Sequence, residues 1–169
     1  MKNQTKILAE VVVSVALAYV LNLIVLFRLP QGGSVTAVSM VPILWLALRR
    51  GAKIGILTGV VFGLVDLFPQ PFIVHPVQFL LDYPLAFGAL GLAGLVRGHP
   101  IFGVVVGIGG RFVCHFLSGI IFFATYAPEG MTPVIYSAVY NGSYLVVEVA
   151  FSIIVMYALA KRGIINMYA

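Results

Sequence analysis

Six apolar runs, each closed by proline, glycine or charge, set the pattern of this chain. They cover Thr5–Phe27, Val35–Leu48, Ile54–Phe68, Val77–Val96, Ile101–Ala124 and Pro133–Ala160. The breaks between them are Pro30-Gln31-Gly32-Gly33, Arg50-Gly51, Pro69-Gln70-Pro71, Gly98-His99-Pro100 and Pro128-Glu129-Gly130, residue types that punctuate helices. A helix needs about 20 apolar residues to cross the hydrocarbon of a bilayer. The second and third runs are short for full spans, and tight connections explain this better than re-entry. The pattern predicts an all-α membrane protein of six transmembrane helices, a single domain over 1–169 with no soluble part.

Composition agrees. The chain is 62% hydrophobic and 9% charged, with a mean hydropathy of +1.11, whereas soluble domains carry roughly 25% charged residues. No small-residue cleavage signal follows the apolar run from Val11, so that run is expected to stay as a span. The single Cys114 excludes an intrachain disulfide. A net charge of +5 comes from basic residues that punctuate the apolar runs; nucleic acid is not an expected partner.

Those basic residues orient the spans. With six spans, Lys2, Lys6, Arg49, Arg50, Lys53, Arg97, Lys161 and Arg162 all fall on one side. Arg28 alone falls in a loop on the other side, and Arg111 lies within the fifth span. Both termini are therefore expected to be cytoplasmic. Gly55, Gly59 and Gly63, Gly103 and Gly107, and Ala89 and Ala93 recur every four residues. Small residues at that spacing let helices approach closely. Ser14-xxx-Ala18 on the first helix is a candidate partner-facing surface.

Ionisable groups at membrane depth cost at least about 2.5–3.5 kcal/mol each on insertion scales, so they are rare and usually functional. Counted at about 1.5 Å per residue, Asp82 lies roughly 9 Å below the outer end of its helix, Asn141 about 12 Å and His115 about 16 Å. Tyr83, Tyr136, Tyr140, Phe122 and Phe123 surround the same level. Singly, each residue has a bland reading. Asp82 could pair with an arginine, His115 could satisfy a carbonyl, Asn141 could tie two helices, and the tyrosines could be interfacial. Jointly they predict a pocket in the outer half of the membrane for a small, cationic, ring-containing ligand. Arg111 and Glu148 lie deeper, on the fifth and sixth helices, and are expected to neutralise each other. Asp66 and Glu129 are expected to be solvated, and Glu10 to snorkel or touch a partner.

Enzyme signatures are missing. The chain has no GxxxxGK[ST] loop, no HExxH spacing among His75, His99 and His115, and no G-x-S-x-G elbow. Neither catalysis, a metal site nor a cofactor is expected.

Several stretches together resemble one family, in order and through nearly the whole chain. They are Pro30-Gln31-Gly32-Gly33-Ser34, His75-Pro76-Val77-Gln78-Phe79-Leu80-Leu81-Asp82-Tyr83 and His115-Phe116-Leu117-Ser118-Gly119. Tyr126-Ala127-Pro128-Glu129-Gly130 and Tyr136-Ser137-Ala138-Val139-Tyr140-Asn141 complete the set. The resemblance is to the ThiT/YuaJ thiamine transporters, the substrate-binding S components of energy-coupling factor (ECF) transporters. It implies a six-helix S-component fold in the cell membrane, high-affinity thiamine capture from outside, and a partner module of one T subunit and two ATPases. By the same resemblance Asp82, where the family often has Glu, would face the thiazolium cation beside Tyr83. His115, Tyr136 and Asn141 would hold the aminopyrimidine and the hydroxyethyl side, and Phe123 would stack on the pyrimidine. Gln78 and Ser34 join this ligand-binding set, with Gln31–Ser34 as the lid. Family tryptophans are replaced here. The lid has none, Phe62 stands at one such position, and Trp45 lies outside the expected pocket.

Rival readings are a proton-coupled thiamine transporter working through Glu148 and Arg111, an S component for another vitamin, and a membrane scaffold. The acidic-Tyr pair argues against acidic vitamins.

Overall fold

The computed structural model describes residues 2–68 and 72–165; the Pro69-Gln70-Pro71 break lies outside them. Among the described residues the six main helices are α1 (Lys2–Asn22), α2 (Val41–Arg50), α3 (Ala52–Val65), α4 (Pro76–Leu95), α5 (Pro100–Phe122) and α6 (Pro133–Lys161). Among the described residues α1, α4, α5 and α6 are long and apolar enough to cross a membrane. Their outward faces are apolar, as in Leu8, Val12, Val13 and Leu17 of α1, which suits a lipid solvent.

Most expected helix boundaries shift by one to three residues, and two move further. The first helix stops at Asn22 instead of Phe27, and the second begins at Val41 instead of Val35. Between them an antiparallel hairpin pairs β1 (Val25–Arg28) with β2 (Ser34–Thr36). Its turn, Pro30–Gly32, holds Gln31 at φ 61°, in the left-handed region that non-glycine residues seldom enter. Irregular backbone at membrane depth is tolerated where it is enclosed by protein or lines a polar cavity, and this hairpin does the latter. The same fact explains the shortness of α2. Seven of its ten residues are buried, so α2 is a central helix whose outer continuation is the hairpin and the bend that follows.

α2 and α3 meet at Gly51, whose φ of +92° is a conformation that L side chains resist. The three-glycine stripe of α3 then lies on α4. A Cβ at Gly63 would sit 2.6 Å from the carbonyl oxygen of Tyr83 and 3.0 Å from Pro84 Cα, and Gly59 faces Phe87 and Gly88 in the same way. The stripe therefore serves packing within the chain. Ser14 and Ala18 are also turned inward, at 4% and 0% exposure, while Val12 is 59% exposed. The outer surface of α1 is thus the Val12 face, and Ser14-xxx-Ala18 is buried.

α4 is not a uniform helix. It runs α-helical over Pro76–Leu80, π-helical over Leu81–Leu85, α-helical again over Ala86–Ala89 and 3-10 over Leu90–Leu95. Proline lacks the N–H an α-helix needs and crowds the preceding turn. At Pro84 the chain responds by widening, with Ala86 N–H bonding to the Leu81 carbonyl five residues back. Single π turns of this kind often mark functional sites. This one carries Asp82 and Tyr83.

Charge separates the two ends of the bundle. Glu10 accepts Arg50 Nε at 2.6 Å and Arg49 Nη2 at 3.2 Å, an ion pair among the chain's own residues. Arg50, Lys53 and Arg97 gather around a shallow cleft at that end. At the opposite end Asn22 donates to Asp66 at 2.5 Å, and Phe72 stacks on Phe123 at 5.9 Å.

Candidate functional site

The hairpin, the π turn of α4, the middle of α5 and the outer half of α6 enclose a cavity of about 630 Å³. That is within the range of about 300–1,000 Å³ typical of small-molecule sites. Each of Ser34, Gln78, Asp82, Tyr83, His115, Phe123, Tyr136 and Asn141 lines it, so residues from four elements meet around one cavity.

Asp82 is the centre. His115 Nδ1 lies 2.9 Å from its Oδ1, while Gln78 Nε2 and Ser118 Oγ donate to its Oδ2 at 2.7 and 2.8 Å. A carboxylate offers about four lone-pair sites. Among the described residues three are filled, and the one left is on Oδ1. The carboxyl is neither paired directly with an arginine nor turned to lipid; its side chain is 16% exposed, toward the cavity. Gln78, 1% exposed, also accepts from Val74 N–H at 3.0 Å and donates to the Phe72 carbonyl at 3.1 Å. It therefore fixes Asp82 against the segment that enters α4. Tyr83 accepts from Phe72 N–H at 3.0 Å, which leaves its own O–H to donate.

His115 has both ring nitrogens occupied. Arg111 Nε donates to Nε2 at 3.1 Å, and Nδ1 is held by Asp82. What it presents to the cavity is ring surface. Asn141 has nearly all its hydrogen-bonding capacity taken up within the chain. Its Nδ2 donates to the Ser137 carbonyl at 2.9 Å and the His115 carbonyl at 3.3 Å, and its Oδ1 accepts from Tyr144 at 3.1 Å. This ties α5 to α6 and leaves one lone pair on Oδ1. Tyr136, Tyr140 and Tyr144 follow one another every fourth residue on α6, with ring centres 5.8 and 6.1 Å apart. They form one aromatic wall, and Phe123 and Phe72 face the cavity from the entrance.

The hairpin closes over this wall. Tyr140 accepts from Gly33 N–H at 2.9 Å and donates its own O–H to the Pro30 carbonyl. Deeper, Glu148 is 2% exposed and receives Thr36 N–H at 2.6 Å and Thr36 Oγ1 at 3.0 Å on Oε1. Its Oε2 has no partner among the described residues.

Three sequence expectations change here. Arg111 and Glu148 form no ion pair among the described residues. Arg111 instead bonds His115 and lies over the ring of Phe87, 4.1 Å from its centre. Asp66 is not a solvated surface residue, because it lines the cavity and holds Asn22. Phe62 is fully buried against Phe87, edge to face at 4.6 Å, and does not line the cavity. Arg111 could have been found from sequence, since it precedes His115 by one helical turn and so shares its face.

Asp66, Asp82 and Glu148 line the cavity together with Arg28 and Arg111, giving three acidic side chains to two arginines. Among the described residues no group of three or more His, Cys, Asp or Glu side chains could hold a metal ion. The site is thus a cage of aromatic faces around a fixed carboxylate, suited to a flat cation with hydrogen-bond donors.

Comparison with known proteins fits this chemistry. The family described as "Thiamine transporter protein (Thia_YuaJ)" matches residues 8–166. The chain is 38% identical over 166 residues to the thiamine transporter ThiT of Bacillus subtilis, covering 85% of this chain and 86% of that one. Over 178 residues it is 28% identical to ThiT of Lacticaseibacillus paracasei, covering 91% and 86%. The solved structure of ThiT from Listeria monocytogenes superposes with a TM-score of 0.86 at 25% identity, covering 95% of this chain and 96% of that one.

Proposed function

The chain belongs to the thiamine transporter (Thia_YuaJ) family, and from that membership we propose how its cavity captures the vitamin. It is a multi-pass membrane protein with the S-component fold, and its role is thiamine uptake, not catalysis. Thiamine carries a permanent positive charge on its thiazolium ring, an amino group on its pyrimidine and a hydroxyethyl arm. Asp82 supplies the opposite charge, and its remaining Oδ1 lone pair accepts a donor of the ligand. Asn141 Oδ1 accepts a second donor, and Tyr83 donates to the polar arm. The tyrosine wall and Phe123 cover the ring faces; a cation over an aromatic face gains roughly 0.5–2 kcal/mol, according to desolvation. His115 acts through its ring surface and through its hold on Asp82. Ser34 and the Pro30–Gly33 turn close over the ligand, and residues 1–169 act as one substrate-binding unit.

The observation that supports this reading best is the Asp82 carboxylate, with one acceptor site still open, at the centre of an aromatic cavity. An apolar cage alone would hold any ring; a fixed anion with one open acceptor selects a cation that donates. The chain has no phosphate-binding loop of its own, which supports coupling to an ECF module of a T subunit and two ATPases. Titration calorimetry of the purified protein tests the capture step. Saturable heat at about one thiamine per chain is expected, and no heat at micromolar thiamine rejects it. Uptake that survives loss of the ATPases but collapses with an uncoupler would reject the ECF coupling in favour of proton coupling.

A further inference from the structure

Arg111 is a cation in a cavity for a cation, and the capture scheme gives it no task. Charge alone would work against the ligand. Its contacts point elsewhere: Nε donates to His115 Nε2 at 3.1 Å, and the guanidinium lies over Phe87, 4.1 Å from the ring centre. No carboxylate lies within ion-pair distance of it among the described residues.

The direction of this contact follows from valence. Arginine has only donors and keeps its proton in proteins, so the nitrogen facing it must be the acceptor. A neutral imidazole carries a single N–H, and with Nε2 accepting, that proton is on Nδ1. Nδ1 lies 2.9 Å from Asp82 Oδ1. The opposite tautomer would set N–H against N–H at Arg111 and lone pair against carboxylate oxygen at Asp82. A doubly protonated ring would again set N–H against the guanidinium. One state satisfies both neighbours.

We propose that Arg111 is a positioning residue for thiamine capture: it fixes His115 as the Nδ1–H tautomer, which pins Asp82 Oδ1 with one acceptor site left for the ligand. The inference rests on the reading of Asp82 as the ligand's carboxylate. It also explains why His115, the residue between them, has no nitrogen to spare for thiamine.

The chain has three histidines, so nitrogen-15 spectra of histidine-labelled protein can be assigned to His115 by the signals lost in His115→Asn. In the wild-type chain Nδ1 should be protonated and Nε2 of the unprotonated, pyridine-like type. Arg111→Met removes the donor that keeps Nε2 unprotonated, so His115 should take up a second proton beside the Asp82 carboxylate, and thiamine binding should weaken about tenfold or more, the scale of a hydrogen bond to a charged group. Arg111→Lys should restore most of the affinity, because an ammonium can also donate to Nε2. In His115→Asn the side-chain amide replaces the Nδ1–H donor without needing a tautomer, so adding Arg111→Met should cost less than about twofold there. A wild-type His115 protonated on Nε2 overturns the proposal, as does an Nε2 that stays unprotonated in Arg111→Met. An equal loss from Arg111→Met in both backgrounds also overturns it, by showing direct contact with the ligand. If the wild-type protein binds no thiamine, the capture reading falls instead, while the spectra still decide the relay.

Discussion

Replacing Asp82 by Asn removes one charge and almost no volume, which isolates the electrostatic contribution. Unit charges about 4 Å apart attract by about 4 kcal/mol at an effective dielectric near 20. Desolvation of the cation takes part of this back, leaving an expected loss of about 2–3 kcal/mol, or roughly 30- to 150-fold in affinity. Geometry adds to the loss. An amide can accept from Gln78 and Ser118 with its oxygen in the Oδ2 position, but its NH2 then meets His115 Nδ1, a donor in the tautomer that Arg111 dictates. Calorimetry with thiamine and with a neutral analogue, in which the quaternary nitrogen is replaced by carbon, separates charge from hydrogen bonding. The variant should lose most of its affinity for thiamine and much less for the neutral analogue. Ser118→Ala, which keeps the charge and deletes one hydrogen bond to it, should cost about tenfold or less. Thiamine affinity within twofold of wild type in Asp82→Asn, or equal losses for both ligands, would refute charge pairing at this site.

Gly63→Ala would press a methyl group against the Tyr83 carbonyl and Pro84 Cα, 2.6 and 3.0 Å away. A loss of about 1–3 kcal/mol should appear as a lower melting temperature in detergent, together with weaker thiamine binding, because the atoms displaced belong to the π turn. Tyr140→Phe deletes the hydroxyl that holds Gly33 and Pro30. Release of radiolabelled thiamine should accelerate severalfold to about tenfold, with association little changed. Glu148→Ala should raise hydrogen exchange at Ser34–Thr36, whereas Glu148→Gln, which keeps the oxygen that Thr36 uses, should leave it near the wild-type level.

The helical segments were legible because lipid demands long apolar stretches, and the order of the site residues because they interrupt those stretches. The hairpin was not. Val25–Phe27 and Val35 are as apolar as the helices beside them, so hydropathy extends the helices through them. Only Pro30-Gln31-Gly32-Gly33 signals a reversal there. The π turn had a visible cause in Pro84 inside an apolar run, yet proline predicts only a break and not the wider turn that forms. The Arg111–His115 contact is legible in its four-residue spacing, but that Arg111 does not pair with Glu148 is hidden, because sequence does not show how the faces of α5 and α6 meet. Glu148 had a backbone donor on β2 available instead, and hairpin contacts of that kind are not visible in a pattern of helices.

Two fastenings of the hairpin belong to α6: Tyr140 holds its tip and Glu148 its base. These residues are eight apart, about 12 Å along the axis, on a rod that continues to Lys161 at the far end. A displacement of α6 from that end would move the cover and the tyrosine wall together. Unlatching the vitamin from inside the cell would need no separate messenger.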